Sequence, residues 1–256
     1  LLRPGEGRVS TGVTTRRFFV EGTREVGSIV EIEGGDAHKI TRVLRLREDD
    51  RIEIVDSAST AFVAAIAQTG RVVRARLLEI VGGSGGSEAT RLLDVAQAVP
   101  KGNRMDFVVE KGTELGASAF IPFYCERSVR RDAGSERLGR WQRLARTAAM
   151  QSGRRDIPEV REPLRFEALL ARFRDYDAVL FAWELAPPAP LSERLRAALP
   201  TSGRVLLVVG PEGGFTHEEA DAARHNGAIL FSLGPRILRT DTAALVLLAV
   251  IGALTS

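Results

Sequence analysis

Two stretches near the C-terminus decide how the chain folds: residues 204–214, RVLLVVGPEGG, and residues 228–244, AILFSLGPRILRTDTAA. Each begins as an apolar run and stops at a glycine-proline step, which is typical of a buried strand that ends in a tight turn. Between them, Thr216 and Glu219 have the spacing of a capping box, and Asn226-Gly227 supplies a left-handed stop, so this segment is predicted to be a helix. Strand, helix and strand in succession predict a parallel sheet.

The rest of the C-terminal half repeats this alternation. Strands are predicted at RLLDVAQAV, AFIPFYCE and YDAVLFAWE, and helices at RMDFVVEKGTELG and ERLGRWQRLARTAAMQSG. The last segment, TDTAALVLLAVIGAL, is apolar nearly all round and is therefore predicted to be a buried helix. The predicted fold class is α/β, with a parallel sheet covered by helices on both faces.

The N-terminal half has a different pattern. Residues 16–80 contain short runs of β-branched and aromatic residues, which predict a small β domain, and residues 1–15 are expected to be a flexible tail. The Gly/Ser-rich residues 81–90 predict a linker, so the larger domain spans residues 91–256. The segment DAHKITRVLRLRE, residues 36–48, predicts a short basic helix.

In that helix, Asp36 is expected to act as the cap, and Ile40, Val43 and Leu44 are expected to face inward. Its basic residues lie off that face. Two interpretations remain open: an ordinary solvated face, or the RNA-binding surface of a small β-barrel.

Composition limits the classes of protein that fit. The net charge is only +3, from 36 basic and 33 acidic residues, but arginine greatly outnumbers lysine. Arginine suits phosphates and base edges through its planar fork of donors. The single cysteine, Cys125, excludes an internal disulfide and a cysteine-clustered zinc site. No apolar stretch is long enough for a membrane span and no signal-peptide core is present, so we expect a cytoplasmic protein without metal.

The glycine-rich loops are the candidate ligand site. In an open parallel sheet, ligands bind beyond the carboxyl ends of the strands, and both loops fall there. Bare backbone and free N–H groups suit the carboxylate, ribose hydroxyls or base edges of a nucleotide-like cofactor. GPEGG lies late in the domain and does not form the dinucleotide fingerprint, and no P-loop is present. A tight turn without a ligand remains the alternative.

A family resemblance extends this interpretation. VVGPEGGFTHEE followed by LGPRILRTDTAAL resembles the paired C-terminal motifs of the RsmE-type 16S ribosomal RNA (uracil-N3)-methyltransferases, which belong to the SPOUT superfamily. KGNRMDFVVEKGTELG, IPFYCERSV, MQSGRRDIP, RRFFV and HKITRVLRLREDD are also similar to that family. The similarity covers residues 16–256.

The resemblance implies a PUA-like RNA-binding β-barrel at the N-terminus and a trefoil knot in the C-terminal SPOUT domain. It also implies S-adenosyl-L-methionine as methyl donor, a homodimer, and methylation of N3 of one uridine in the decoding region of 16S rRNA in the small ribosomal subunit. The chain departs from the family pattern at Asp241 and Met150, where relatives commonly carry Glu.

The resemblance also assigns residues. The cofactor-binding residues on three loops are Ala182, Trp183, Glu184, Gly210, Pro211, Glu212, Gly213, Gly214, Leu233, Gly234, Ile237, Leu238, Thr240 and Thr242. The predicted catalytic residues are Arg236, which would stabilise the uracil anion, and Glu212, which would orient the cofactor or accept the N3 proton. For Arg239, helix-cap packing is favoured over catalysis. The candidate RNA-binding residues are Arg16, Arg17, Lys39, Arg42, Arg45, Lys101, Arg104, Lys111, Arg127, Arg130 and Arg154.

Two other functions remain open. One is a different SPOUT activity, such as ribose 2′-O or purine-N1 methylation, because the cofactor loops are similar across the superfamily. The other is a non-catalytic RNA-binding factor of ribosome assembly that has kept the fold.

Overall fold

A computed structural model describes residues 16–82, 91–128, 134–187 and 190–255. The predicted tail at 1–15, most of the predicted linker and Arg130 lie outside these ranges. The chain divides into two compact units, Leu1–Ser87 and Glu88–Ser256. Within the described ranges, no helix has both the length and the apolar character needed to cross a membrane.

The first unit contains a five-stranded sheet that forms a half-barrel. Its strands are β1 (Arg17–Phe19), β2 (Ile29–Ile32), β3 (Arg51–Val55), β4 (Ala61–Gln68) and β5 (Val73–Gly82). Their order is β1-β3-β4-β5-β2, with β1 parallel to β3 and the other pairs antiparallel. Alternate residues such as Ile52 and Ile54 are fully buried, which is the period-2 pattern of a one-sided sheet. Because β5 continues to Gly82, the first two residues of the predicted linker are strand.

The predicted helix at 36–48 is shorter than expected and begins earlier. Helix α1 covers Gly34–His38, so Asp36 lies in its first turn and is not its cap. A π-helical turn, Lys39–Val43, follows at once. Its wider turn rotates the following residues, so Ile40 is buried as predicted whereas Val43 is 64% exposed, and the inward assignment of Val43 was wrong.

The second unit contains a seven-stranded sheet in which every strand pair is parallel, as predicted. Its strands are β6 (Arg91–Ala98), β7 (Ala119–Tyr124), β8 (Glu159–Val160), β9 (Leu164–Arg165), β10 (Ala178–Ala182), β11 (Gly203–Val209) and β12 (Ile229–Phe231). The order is β12-β10-β11-β6-β7-β8, with β9 also pairing with β7. Strand β11 therefore lies between two strands that precede it in the chain. The trefoil knot stays a prediction.

Helices cover both faces of this sheet. They are α2 (Arg104–Glu114), α3 (Gly134–Ser152), α4 (Phe166–Leu170), α5 (Leu191–Ala198), α6 (His217–His225) and α7 (Thr240–Thr255), with a 3-10 turn at Phe173–Asp175. Alternate residues of β11 belong to different cores: Leu207 packs with α2, α3 and α7, whereas Leu206 packs with an aromatic cluster and α6. The capping box of Thr216 and Glu219 at the start of α6 is confirmed.

Candidate functional site

Three loops follow the carboxyl ends of β10, β11 and β12, which are neighbours in the sheet, and they enclose a cavity of about 450 Å³. This volume lies in the range of small-molecule sites. Both predicted catalytic residues, Glu212 and Arg236, line the cavity, and so does every predicted cofactor residue except Thr242. The exposed Thr242 turns instead to the Asp241 carboxylate, which accepts a hydrogen bond from its N–H at 2.8 Å. The sheet topology thus brings together loops that are far apart in the chain.

The glycines of GPEGG leave room for neighbouring side chains of the same chain. A Cβ at Gly210 would lie 2.9 Å from the Phe215 ring, and one at Gly214 would lie 2.4 Å from Glu184 Oε1. Gly214 also has φ +68°, a left-handed conformation that favours glycine. Phe215 is buried and packs against Phe181, with ring centroids 4.2 Å apart, which anchors the loop in the aromatic cluster. The bare backbone is therefore needed for the shape of the loop itself.

A buried hydrogen-bond chain links the second loop to the start of α7. The Thr240 hydroxyl donates to the carbonyl oxygen of Gly210 and accepts from Gln97 Nε2 at 2.7 Å. Gln97 is fully buried at the end of β6, and its amide also donates to the carbonyl of Ala98 at 3.0 Å. Because both amide hydrogens have acceptors, the side chain is held in one orientation. Gln97 Oε1 has no hydrogen-bond partner among the described residues.

Trp183 lies in the first loop, directly after β10, and lines the cavity. Its backbone N–H donates to the carbonyl of Phe231 at 2.9 Å, which joins the ends of β10 and β12. The side chain is 7% exposed, and its ring meets His217 edge to face at 5.3 Å. Within the described ranges the indole Nε1–H has no acceptor. A buried donor without a partner at a cavity wall is a candidate contact for a ligand.

Glu212 is tied to the loop that follows β6. Its Oε1 accepts from Arg104 Nη1 at 2.7 Å and from the backbone N–H of Lys101 at 3.0 Å. The next residue of the GPEGG loop, Gly213, is also bound by an arginine: Arg127 Nη1 donates to its carbonyl oxygen at 2.9 Å. Two arginines therefore hold the GPEGG loop at two adjacent residues, Glu212 and Gly213. This arrangement favours an orienting role for Glu212 over proton transfer.

The third loop, which follows β12, carries hydrogen-bond donors that have no acceptor among the described residues. The side chains of Arg236 and Arg239 are exposed and form no hydrogen bond or ion pair with any described residue, whereas the Arg239 carbonyl accepts from the N–H of Ala243 at 2.9 Å at the start of α7. The backbone N–H groups of Leu233, Ile237 and Leu238 likewise have no acceptor in the described part of the chain. Ile237 is 93% exposed. The loop thus offers main-chain donors and two cationic side chains to a ligand rich in acceptors.

Several predicted RNA-binding residues of the second unit are engaged within the chain. Arg154 Nη1 donates to the carbonyls of Thr113 and Ala117 at 2.8 and 2.7 Å, where it caps the end of α2. Lys111 Nζ lies 2.8 Å from both Glu110 and Glu114, and these hydrogen bonds raise its pKa to about 12. Arg104 and Arg127 hold the GPEGG loop as described.

The predicted RNA-binding residues of the first unit are less engaged. Arg17 forms an ion pair with Glu53 at 2.6 Å, whereas Arg16, Arg42 and Arg45 are exposed and Lys39 is half-buried. Arg45 has φ +55°, a conformation that ends the basic helical segment.

Gln97 is the site residue that the motifs did not identify. Its one sequence signal is a polar residue inside the apolar run RLLDVAQAV, and only the sheet order places it beside Gly210.

The two residues that depart from the family pattern lie in different parts of the second unit. Asp241 binds the N–H of Thr242 at the start of α7, and Met150 is buried at 9% exposure in α3.

Two family models match the chain. Residues 87–252 match an RNA methyltransferase domain, and residues 32–72 match an RNA methyltransferase PUA domain. A Bacillus subtilis protein named ribosomal RNA small subunit methyltransferase E is 33% identical over 246 residues, which are 92% of this chain and 95% of that protein.

Solved structures agree with these matches. A ribosomal RNA small subunit methyltransferase E from Neisseria gonorrhoeae, bound to S-adenosyl methionine, is 29% identical with a TM-score of 0.82, and the match covers 94% of this chain and 98% of that chain. A Legionella pneumophila structure in complex with the cofactor SAM is 28% identical with a TM-score of 0.80, over 94% and 98% of the two chains. The chain therefore belongs to the RNA methyltransferase family that includes the ribosomal RNA small subunit methyltransferases E.

Proposed function

We propose that this protein transfers a methyl group from S-adenosyl-L-methionine to N3 of one uridine in the decoding region of 16S rRNA. The observation that carries the proposal is the cavity at the carboxyl ends of β10, β11 and β12, which both glycine-rich motifs line. Relatives that match nearly the whole chain carry a ribosomal RNA methyltransferase name, and one was solved with S-adenosyl methionine bound.

The residues of the cavity suit this cofactor. Leu233, Ile237 and Leu238 would hold it through their unused backbone N–H groups, and the buried indole N–H of Trp183 is a further donor at the wall. Gly210 to Gly214 would form the wall after β11, where the Phe215 ring leaves no room for a Cβ at Gly210. When bound, S-adenosyl-L-methionine supplies an electrophilic methyl group on its sulfonium.

The uracil of the substrate must release its N3 proton to solvent water before N3 becomes a nucleophile. With an N3–H pKa of roughly 9, removal of that proton at pH 7 costs about 3 kcal/mol. Arg236 would lower this cost, because an unpaired guanidinium at the cavity stabilises negative charge on the uracil oxygens. Glu212 would act through position: its bonds to Arg104 and Lys101 hold the GPEGG loop for in-line transfer.

The remaining assignments follow from the same proposal. The half-barrel unit would bind rRNA as a PUA-like domain, with Arg16, Arg42 and Arg45 touching phosphates, which position RNA without specifying sequence. The small ribosomal subunit would be the substrate, the cytoplasm the place of reaction, and a homodimer the active species.

The role of Arg236 is tested by comparison with Arg239, which is exposed and unpaired in the same loop. We would measure the transfer of labelled methyl groups to small ribosomal subunits, and cofactor affinity by calorimetry. Arg236→Ala should lower turnover about 100-fold, the loss typical of a removed anion-stabilising donor, and should change cofactor affinity by less than about threefold. Arg239 lines the same cavity, so Arg239→Ala is expected to lower turnover less than Arg236→Ala does, and an equal or larger loss would assign the anion-stabilising role to Arg239.

Equal losses of turnover and cofactor affinity in Arg236→Ala would contradict its catalytic role. Cofactor binding without methyl transfer to any ribosomal RNA would favour a different methylated target. Failure of the unchanged protein to bind the cofactor would favour a non-catalytic RNA-binding factor.

A further inference from the structure

Gln97 is a buried polar residue that lies behind the cofactor cavity and does not line it. It is the second-to-last residue of β6, and neither glycine-rich motif contains it. Its side chain reaches the first residue of α7, because its Nε2 lies 2.7 Å from the hydroxyl oxygen of Thr240. Any effect of Gln97 on a ligand in the cavity must therefore pass through another residue, and Thr240 is the one it contacts there.

The amide of Gln97 fits in only one of its two orientations. Its Nε2 lies 3.0 Å from the carbonyl oxygen of Ala98, and a carbonyl can only accept a hydrogen bond. A flipped amide would place Oε1 against this carbonyl, so that two acceptors would face each other with no hydrogen between them. The nitrogen therefore faces both Ala98 and Thr240.

This orientation sets the direction of the Thr240 hydroxyl. A protonated amide nitrogen donates and does not accept, so the Thr240 oxygen receives a hydrogen from Gln97. The hydrogen of the hydroxyl is then directed to the carbonyl oxygen of Gly210, to which it donates. Gly210 begins the GPEGG loop, and Thr240 follows the third loop, so Gln97 fixes the hydrogen bond that joins these two loops.

The hydrogen bonding of Gln97 indicates that stability alone does not explain this residue. Its Oε1 is buried and has no hydrogen-bond partner in the described part of the chain, and an unsatisfied buried acceptor opposes folding. Methionine has nearly the same length and would leave no such acceptor. A buried residue that breaks this rule while it orients a neighbour at a cavity wall is typical of a functional site.

We propose that Gln97 is a positioning residue of the methyltransferase site. By donating to Thr240 it would hold the Gly210 carbonyl and keep the second and third loops at the spacing that S-adenosyl-L-methionine requires. Gly210 and Thr240 both line the cavity, so a shift of either changes the shape of the cavity. The identity of the ligand rests on the proposed function, whereas the hydrogen-bond chain does not depend on it.

The first test is a double-mutant cycle of cofactor affinity, measured by calorimetry. Gln97→Met should weaken the binding of S-adenosyl-L-methionine about three- to tenfold, which corresponds to the loss of about one hydrogen bond. In a Thr240→Val protein the link is already broken, so adding Gln97→Met should weaken binding by less than about twofold further. Calorimetry also measures the fraction of protein that binds. Unfolding lowers this fraction, whereas a misplaced loop changes the dissociation constant.

The matched control is Thr113→Val. Thr113 is also fully buried in the second unit, and its hydroxyl donates to the carbonyl of Val109 at 2.7 Å, but it does not line the cavity. This change removes a buried hydrogen bond at a distance from the link. It should lower the Tm and should change cofactor affinity by less than about twofold.

Hydrogen exchange of the ligand-free protein tests the same link without the cofactor. The backbone N–H groups of residues 212–214 should exchange about three- to tenfold faster in Gln97→Met than in the unchanged protein, because the loop opens more readily. They should exchange at the unchanged rate in Thr113→Val. If the unchanged protein bound no S-adenosyl-L-methionine, the proposed function would fail, and this exchange measurement would still decide the role of Gln97.

Two results would overturn the proposal. One is an additive loss of affinity from Gln97→Met and Thr240→Val, which would show that Gln97 acts independently of Thr240. The other is a Gln97→Met protein whose loop exchanges no faster than that of the Thr113→Val protein, which would show that the amide does not hold the loop.

Discussion

Replacement of Thr240 by valine tests the buried link between the cofactor loops. The Thr240 side chain is 5% exposed, and its hydroxyl joins the carbonyl of Gly210 to the amide of Gln97. Valine has nearly the same shape but leaves one hydrogen of the Gln97 amide and the Gly210 carbonyl without a partner. A buried polar group that loses its partner costs about 1–3 kcal/mol. Because Gly210 is only half-buried, we expect a total loss of about 2–4 kcal/mol.

Tryptophan fluorescence reports the unfolding of the second unit, because both tryptophans of the chain, Trp141 and Trp183, lie in that unit. For a unit of this size, a loss of 2–4 kcal/mol corresponds to a fall in Tm of about 5–12 °C. Thr240→Ser, which keeps the hydroxyl, should recover most of the loss. The matched control is Thr242→Val on the same helix turn, where the exposed hydroxyl has Asp241 Oδ1 at 3.4 Å as its partner among the described residues, and its Tm should fall by less than about 2 °C.

A Thr240→Val protein whose Tm lies within about 2 °C of that of the Thr242→Val protein would contradict the stabilising role of this hydroxyl. Equal destabilisation by Thr240→Ser and Thr240→Val would also refute it, because the serine variant retains the hydroxyl. Cofactor affinity gives a second readout: it should fall in Thr240→Val, since the Gly210 carbonyl is then no longer held to the start of α7.

Three further predictions concern the loop, its ion pair and the cysteine. Gly214→Ala should weaken cofactor binding about tenfold in calorimetry, because φ +68° is a left-handed conformation that alanine adopts only with strain, and unchanged affinity would contradict the need for glycine at this turn. In a double-mutant cycle of unfolding free energies, Glu212→Gln and Arg104→Ala should show a coupling of about 0.5–1 kcal/mol, small because the ion pair is partly exposed, and additive effects would count against the clamp. Burial raises the pKa of the Cys125 thiol to about 11, so iodoacetamide at pH 8 should label it only after unfolding, and rapid labelling of the native protein would show that the site opens.

The local features of the second unit were predictable from the sequence. The capping box of Thr216 and Glu219 is defined by residue spacing alone, and it forms as predicted. The apolar runs before GPEGG and LGPR form β11 and β12, which lie on either side of β10 in the parallel sheet, and glycine and proline mark where each run ends. The loops could therefore be assigned to one edge of a sheet before the structure was known.

What could not be predicted depends on contacts between distant segments. Strand β11 inserts between β6 and β10, and this order alone places Gln97 beside Gly210 and Thr240. The arginines assigned to RNA illustrate the same limit. Composition cannot distinguish an arginine that faces phosphate from one, such as Arg154, whose guanidinium binds backbone carbonyls at the end of a helix.

The prediction for the basic helix of the first unit was wrong for a different reason. Its apolar spacing was interpreted with a period of 3.6 residues, but the π-helical turn at Lys39–Val43 has a wider period. Leu44 N–H accordingly donates to the carbonyl of Lys39 at 2.8 Å, five residues back. Such a turn has no clear sequence signal, so the exposure of Val43 could be found only in the structure.

The most direct test of the proposed function identifies the modified nucleoside. Small ribosomal subunits from cells that lack this protein would be incubated with the pure protein and S-adenosyl-L-methionine, and the rRNA would be digested and analysed by mass spectrometry. We expect 3-methyluridine, formed only when both protein and cofactor are present. The absence of 3-methyluridine, with another methylated nucleoside in its place or with none, would contradict the proposed function.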